Sequence, residues 1–255
     1  MPFWNILAVS ARLSSLISEP DFISRELAAL PLLERRIECI ARAVAGRVVF
    51  STSLGVEDQA IFHAIATSSA PIDVVTLDTG RHFPETLDTI ERTERRYGLR
   101  IRVIAPVSDH VEALVARDGI NGFRVSIEAR KACCDARKVK PLQRALAGAA
   151  GWLTGLRREQ SGGRLATPFA EFDKSLGLLK LNPLADWPLD QLQAYIAAND
   201  IPTNPLHARG YPSIGCQPCT RAVQPGEDAR AGRWWWENED GKECGLHNRP
   251  IAERS

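Results

Sequence analysis

The chain has 255 residues, 44% hydrophobic and 25% charged, with a net charge of +1 at pH 7. That apolar fraction excludes a disordered chain, and the near-neutral balance gives no bulk field toward nucleic acid or a membrane surface. No apolar run reaches the roughly 18 residues of a bilayer-spanning helix, so neither nucleic acid nor membrane is an expected partner.

Residues 1–46 are read as an N-terminal helical segment. Within it, residues 26–44 carry Leu27, Leu30, Leu33, Ile37, Ile40, Ala41 and Val44 at helical spacing, with Gly46 as the stop and Cys39 as a small buried residue. No basic residue precedes Arg12, so the charged start of a secretory signal is lacking and a reducing cytoplasm is expected. A first buried strand is expected over 47–51, then a helix through Ala60, Ile61, Ala64 and Ile65. The alternation repeats: strand 73–77, helix 84–97 opened by a proline and followed by Gly98, strand 101–105, helix 108–116, a helical region over 127–147, strand 152–156. A loop at 161–164, a small hairpin within 169–181 and a helix through Leu189, Leu192, Tyr195 and Ile196 follow. Little regular structure is expected beyond residue 202.

Short apolar strands alternating with helices predict an α/β fold, a Rossmann-like parallel sheet covered by helices, in a single domain with an irregular C-terminal tail. Ligands of such sheets bind beyond the carboxyl ends of the strands. The main domain is expected over 47–225 and the tail over 226–255.

Two segments sit at such strand ends. Residues 51–58 (STSLGVED) offer Ser51, Ser53, Gly55 and a helix N-terminus to a phosphate, although an ordinary capped turn accounts for them equally well. No Gly-Lys-Ser/Thr follows, so this is not a Walker A loop. Residues 77–86 (LDTGRHFPET) bring Asp78 to a second strand end, as a ligand contact or as a plain helix start. Basic residues are locally dense: Arg130, Lys131, Arg137, Lys138 and Lys140; Arg157, Arg158 and Arg164; Arg230 and Arg233. That pattern suits a compact anion better than a long polyanion.

Six cysteines without a signal do not suggest a disulfide framework. Cys133 and Cys134 are adjacent, and Cys216 and Cys219 form a Cys-x-x-Cys. Four unrelated buried thiols, a structural zinc ion and an iron–sulfur cluster are the three readings. Adjacent thiols are unusual in zinc ribbons, which favours the cluster. Cys244 stands apart, three residues before His247, and has the setting of a nucleophile.

At this point the chain resembles the assimilatory adenylyl-sulfate reductases, relatives of the phosphoadenylyl-sulfate reductases. The matching segments are 51–58, 77–80, 133–142 (CCDARKVKPL), 155–161 (GLRREQS), 182–184 (NPL), 210–220 (GYPSIGCQPCT), 232–237 (GRWWWE) and 243–247 (ECGLH). Nothing before residue 46 matches. The resemblance implies a fold of the adenine-nucleotide alpha-hydrolase type. It implies a [4Fe–4S] cluster on Cys133, Cys134, Cys216 and Cys219, thioredoxin as reductant, and sulfite plus AMP as products. Cys244 would take the sulfonate as a Cys-S-sulfonate. Lys138, Arg230, Arg233 and His247 would contact the phosphosulfate, and Arg157 and Arg158 would serve the nucleotide side. The cluster's expected role is electrostatic and structural rather than electron transfer.

Alternatives stay open at this stage: the 3′-phosphorylated substrate, an ATP-pyrophosphatase-type thiolation enzyme, and a zinc-bound module without catalysis. The thiolation enzymes usually carry Ser-Gly-Gly-x-Asp-Ser where this chain has Ser-Leu-Gly-Val-Glu-Asp, ending at Asp58. The sequence leaves homo-oligomerisation open.

Overall fold

The computed structural model describes residues 20–237. Cys244, His247 and most of the expected tail lie outside the described residues.

The helix expected over 26–44 is two helices, α1 (Pro20–Ala29) and α2 (Leu33–Ala43). Pro31 explains the break, since it lacks an N–H and pushes the residue before it out of helical geometry. There follow β1 (Val48–Thr52), α3 (Val56–Ser68), β2 (Ile72–Leu77), α4 (Pro84–Tyr97), β3 (Arg102–Ile104) and α5 (Ser108–Asp118). Next come α6 (Ile127–Cys134), a π turn (Asp135–Val139) and α7 (Lys140–Leu146). The helical region expected over 127–147 is therefore interrupted, by a turn of wider i→i+5 pitch. The order closes with β4 (Gly151–Leu153), β5 (Ala170–Asp173), β6 (Leu178–Leu181) and α8 (Leu189–Ala198). Beyond Pro202 the described residues hold short 3₁₀ turns at His207–Arg209 and Gln217–Cys219 and an isolated antiparallel bridge between Thr220 and Arg233.

The strands form one six-stranded sheet in the order β3-β2-β1-β4-β6-β5. β1 pairs with β4, and β4 with β6, in parallel; Phe50 lies opposite Leu153, and Leu153 opposite Leu181. β5 runs antiparallel to β6, closing the expected hairpin at the sheet edge. Gly177 turns it at φ 66°, a left-handed conformation that glycine adopts without strain. The central strands carry apolar runs because both faces are covered: Val48, Val49, Phe50, Trp152 and Leu153 are all buried, and β1 ends in Ser51 and Thr52.

The chain divides into two compact units. The first takes in the described residues up to Val75, Arg92–Arg102 and Leu146–Pro202. Its buried Arg36 donates both guanidinium ends to Asp186, at 2.6 and 3.0 Å, and so ties α2 to the chain that follows β6. The second comprises Thr76–Glu91, Val103–Ala145 and the chain from Thr203. Its core brings Phe123, Cys216, Cys219 and Trp234 together, with Cys133 and Trp236 packed against them. Among the described residues no helix is long and apolar enough to cross a membrane.

Candidate functional site

In the first unit, the turn after β1 is held by one carboxylate. Ser53 donates both its backbone N–H and its hydroxyl to Asp58 Oδ2, each at 2.6 Å. Leu54 is left-handed at φ 63°, and its N–H finds Thr52 Oγ1 at 3.0 Å. Gly55 then enters α3 with no side-chain cap, so the first amides of that helix are not capped from its own N-terminal residue. Asp58 is buried, and burial pushes its carboxyl up to about 6, with Glu57 adding to the effect and the two bonds from Ser53 opposing it. Gly155, just past β4, has no room for a side chain: a Cβ would overlap Asp58 Oδ1 and stand 3.1 Å from Glu57 Cβ. The close approach keeps the segment after β4 against the start of α3.

The expected nucleotide arginines lie in this unit. Arg157 is buried; its Nε donates to Glu57 Oε1 at 3.0 Å and its Nη1 to the Trp187 carbonyl at 3.0 Å. Arg158 donates Nε to the Thr167 carbonyl at 3.0 Å, with its guanidinium over the Phe169 ring. Ser51 Oγ accepts the indole N–H of Trp152 at 2.7 Å.

In the second unit, Cys133, Cys134, Cys216 and Cys219 all line one cavity. α6 carries the first two and starts with a cap, Ser126 Oγ accepting the Ala129 N–H at 3.1 Å. The 3₁₀ turn Gln217–Cys219 carries the others, and its first N–H donates to the Arg81 carbonyl at 2.8 Å. Five cations line the same cavity: Arg81, Arg130, Arg137, Lys138 and Arg233, with no carboxylate among the lining side chains. Phe123, Pro218 and Trp234 complete the wall. Such a wall repels a cation and favours an anionic occupant.

The thiols respond unequally. Burial, the largest influence, pushes Cys216 up, but Lys138, the Thr79 hydroxyl 3.3 Å away, Arg233 and Arg137 together bring it below its ordinary value. Cys219 is pushed up to about 12, by burial and then by Cys216 and Cys134. Cys133 is raised by burial against the pull of Arg137. Cys216 is thus shifted opposite to Cys133 and Cys219; a multivalent cationic centre among these thiols would favour the thiolate of each. Among the described residues no three His, Cys, Asp or Glu side chains are grouped so that they could hold a single metal ion.

Arg137 is buried and donates Nη1 to the Thr79 carbonyl at 2.7 Å, while its Nε has no hydrogen-bond partner. Arg233 is buried, with Nη1 3.3 Å from both Ser213 Oγ and the Ile214 carbonyl. Gly215 leaves it room, since a Cβ there would overlap the guanidinium. Asp78 Oδ1 accepts the Gly80 N–H at 2.8 Å, a turn bond within the segment after β2. Arg230 is half-buried, with its backbone N–H on Asp228 Oδ1.

Of the expected residues, the structure thus brings the four cysteines, Lys138 and Arg233 to one cavity. Ser53 and Gly55 shape the loop at the start of α3. Cys244 and His247 lie outside the described residues. Sequence reasoning missed Arg81, Arg130 and Arg137 as cavity-lining cations, although the density of basic residues around the adjacent cysteines was a signal for two of them. Thr79 and Trp234 lie in the matched segments 77–80 and 232–237, where neither was given a role at the cavity; nothing local marked Phe123.

The Phosphoadenosine phosphosulfate reductase domain family matches residues 47–222. The chain is 60% identical over 215 residues to the Adenosine 5'-phosphosulfate reductase of Agrobacterium fabrum, covering 84% of this chain and 82% of that protein. It is 50% identical over 238 residues to the Adenosine 5'-phosphosulfate reductase of Allochromatium vinosum, covering 93% and 91%. Among solved structures, the phosphoadenylyl-sulfate reductase of Candida auris in complex with phosphate aligns with a TM-score of 0.66 at 27% identity, over 80% of this chain and 98% of that one.

Proposed function

The chain belongs to the phosphoadenosine phosphosulfate reductase family, and from that premise we propose that it is an adenylyl-sulfate reductase, releasing sulfite and AMP. The observation that carries the reading is the shared name of relatives 50–60% identical over most of both chains. The four-thiol, five-cation cavity supports it chemically.

A [4Fe–4S] cluster fits the residues present. Cys133, Cys134, Cys216 and Cys219 would hold it; four thiolates make it anionic, and the cations of the wall, with the unpartnered Nε of buried Arg137, suit that charge. When bound, it would supply a fixed anionic charge that orders the surrounding cations rather than electrons for the reaction.

The reaction is assigned to thiols. Cys244 as thiolate attacks the sulfur of adenylyl sulfate; the new S–S bond forms as the bond to the phosphate oxygen breaks, and AMP leaves with the electron pair. A thioredoxin thiolate then attacks Cys244 Sγ, sulfite departs with the electron pair, and the second thioredoxin thiol resolves the mixed disulfide. Two thiols supply both electrons. Lys138, Arg230, Arg233 and His247 are assigned to the phosphosulfate, as charge-assisted donors to its oxygens. Ser51, Ser53, Gly55, Asp78, Arg157 and Arg158 are assigned to the nucleotide side, with the uncapped N-terminus of α3 as the anion-favouring element. The cytoplasm is the proposed setting, because the thiols must stay reduced.

Mass spectrometry tests the assignment. Iron-loaded protein mixed with adenylyl sulfate, with reductant withheld, is expected to gain about 80 Da on the peptide that contains Cys244. An unmodified peptide in competent enzyme would overturn it. Faster turnover of the 3′-phosphorylated nucleotide in a side-by-side assay would overturn the choice of substrate.

A further inference from the structure

Arg130 is fully buried, one helical turn before Cys133 and Cys134 on α6. Its Nε donates to Glu237 Oε1 at 2.5 Å, and the two side chains are 1% and 5% exposed. Its guanidinium carbon also stands over the Trp234 ring, 4.4 Å from the centroid, with that of Arg233 at 4.7 Å from the same centroid. Trp234 is itself 1% exposed and holds a left-handed backbone at φ 42°. A bulky residue adopts that conformation only where its surroundings impose it. Its N–H reaches back to the Cys219 carbonyl at 3.2 Å. Arg130 thus touches, through one guanidinium, both Trp234, whose N–H bonds back to the Cys-x-x-Cys turn, and Glu237, the last described residue before Cys244.

A buried ion pair contributes little net stability compared with a well-packed apolar pair, but it fixes register. Here the pair is one-pronged: Glu237 Oε2 is buried and accepts no hydrogen bond. From Glu237 to Cys244 the chain has seven steps (244 − 237), which span at most roughly 25 Å when extended. The point at which residue 237 is pinned therefore bounds how far from it Cys244 can lie.

We propose that Arg130 is a positioning residue: by clamping Glu237 and Trp234 it fixes the backbone at residue 237, and so limits where Cys244, seven residues on in the chain, can be presented. This rests on Cys244 being the nucleophile. The pair contributes register to the reaction and takes no part in the bond changes.

The test is Glu237→Gln, which removes the charge and keeps the shape, with the double variant Arg130→Gln/Glu237→Gln as a second neutral pair. Both are measured as iron-loaded enzyme. Expected results are an unchanged iron content and visible spectrum, an adenylyl-sulfate KM within about twofold of wild type, and a single-turnover rate of Cys244 sulfonation slowed about tenfold or more. Limited proteolysis after residue 237 should accelerate in both variants. A sulfonation rate equal to wild type in both, or iron loss in step with the slowed rate, would overturn the proposal. If wild-type Cys244 takes no sulfonate at all, the nucleophile assignment fails instead, and the two failures are distinct.

Discussion

Replacing Asp58 with asparagine should make the folded state more stable at neutral pH and leave it unchanged in acid. Burial raises the Asp58 carboxyl from 3.8 to about 6, so the folded state holds this proton more tightly than the unfolded chain. A shift of about 2 units corresponds to about 3 kcal/mol between the two protonation states. The cost is absent below the unfolded value near 4, grows as pH rises toward the folded value near 6, and is fully present above it. Between pH 5 and pH 7 wild type should therefore lose about 1 kcal/mol from this group, while the Asp58→Asn variant has nothing to titrate at this position. The asparagine oxygen can still accept the Ser53 N–H and hydroxyl, so the turn is kept. The charged neighbours facing the group are Glu57, from its own helix, and Arg157, which is paired with Glu57. Urea midpoints of wild type and Asp58→Asn, compared at pH 5, 6, 7 and 8, provide the assay. Stability differences that stay constant across the series would refute the reasoning.

Gly155→Ala forces a methyl group onto Asp58 Oδ1, whose carboxylate cannot retreat without losing both Ser53 bonds. It should cost about 1–3 kcal/mol in urea melts and weaken AMP binding by calorimetry; unchanged values would show that the contact yields. Cys134→Ser should lose iron and visible absorbance, and a full iron complement would remove that residue from the proposed ligand set. Lys138→Ala removes the largest of the influences that lower Cys216, so in iron-free protein that thiol should titrate higher. The measurement is iodoacetamide labelling of Cys216 across pH, where a profile identical to wild type would count against the Lys138 contact.

The inner strands were legible in the sequence because they carry short, largely buried apolar runs bounded by polar turns, whereas β3 at the edge is exposed along most of its length. α4 could be read with the same ends found in the structure, from its opening proline to Tyr97. The break at Pro31 was there to be read, but apolar spacing on both sides of it suggested one continuous helix. The π turn was hidden for a different reason: an extra residue per turn changes backbone pitch without changing which side chains look apolar. The four cysteines stood out by type and grouping. The cavity's cations did not, since whether an arginine faces a ligand or its own fold depends on distant partners. Arg157 shows the difficulty: no local pattern reveals that its Nε lies on Glu57, 100 residues earlier in the chain. Arg130 and Glu237, 107 residues apart, are invisible as a pair to any local pattern.

The wide turn at Asp135–Val139 has the arithmetic of an insertion, one residue more than a regular helix would accommodate between α6 and α7. Each residue of an ordinary helix swings the next by about 100° around the axis. Deleting one position from that stretch should let the helix heal into unbroken α geometry. The rest of the chain would see a normal helix, yet the ammonium of Lys138 would be carried about a quarter-turn around the axis. The charge beside Cys216 and Cys219 is thus tuned by a count of backbone links as much as by any choice of side chain.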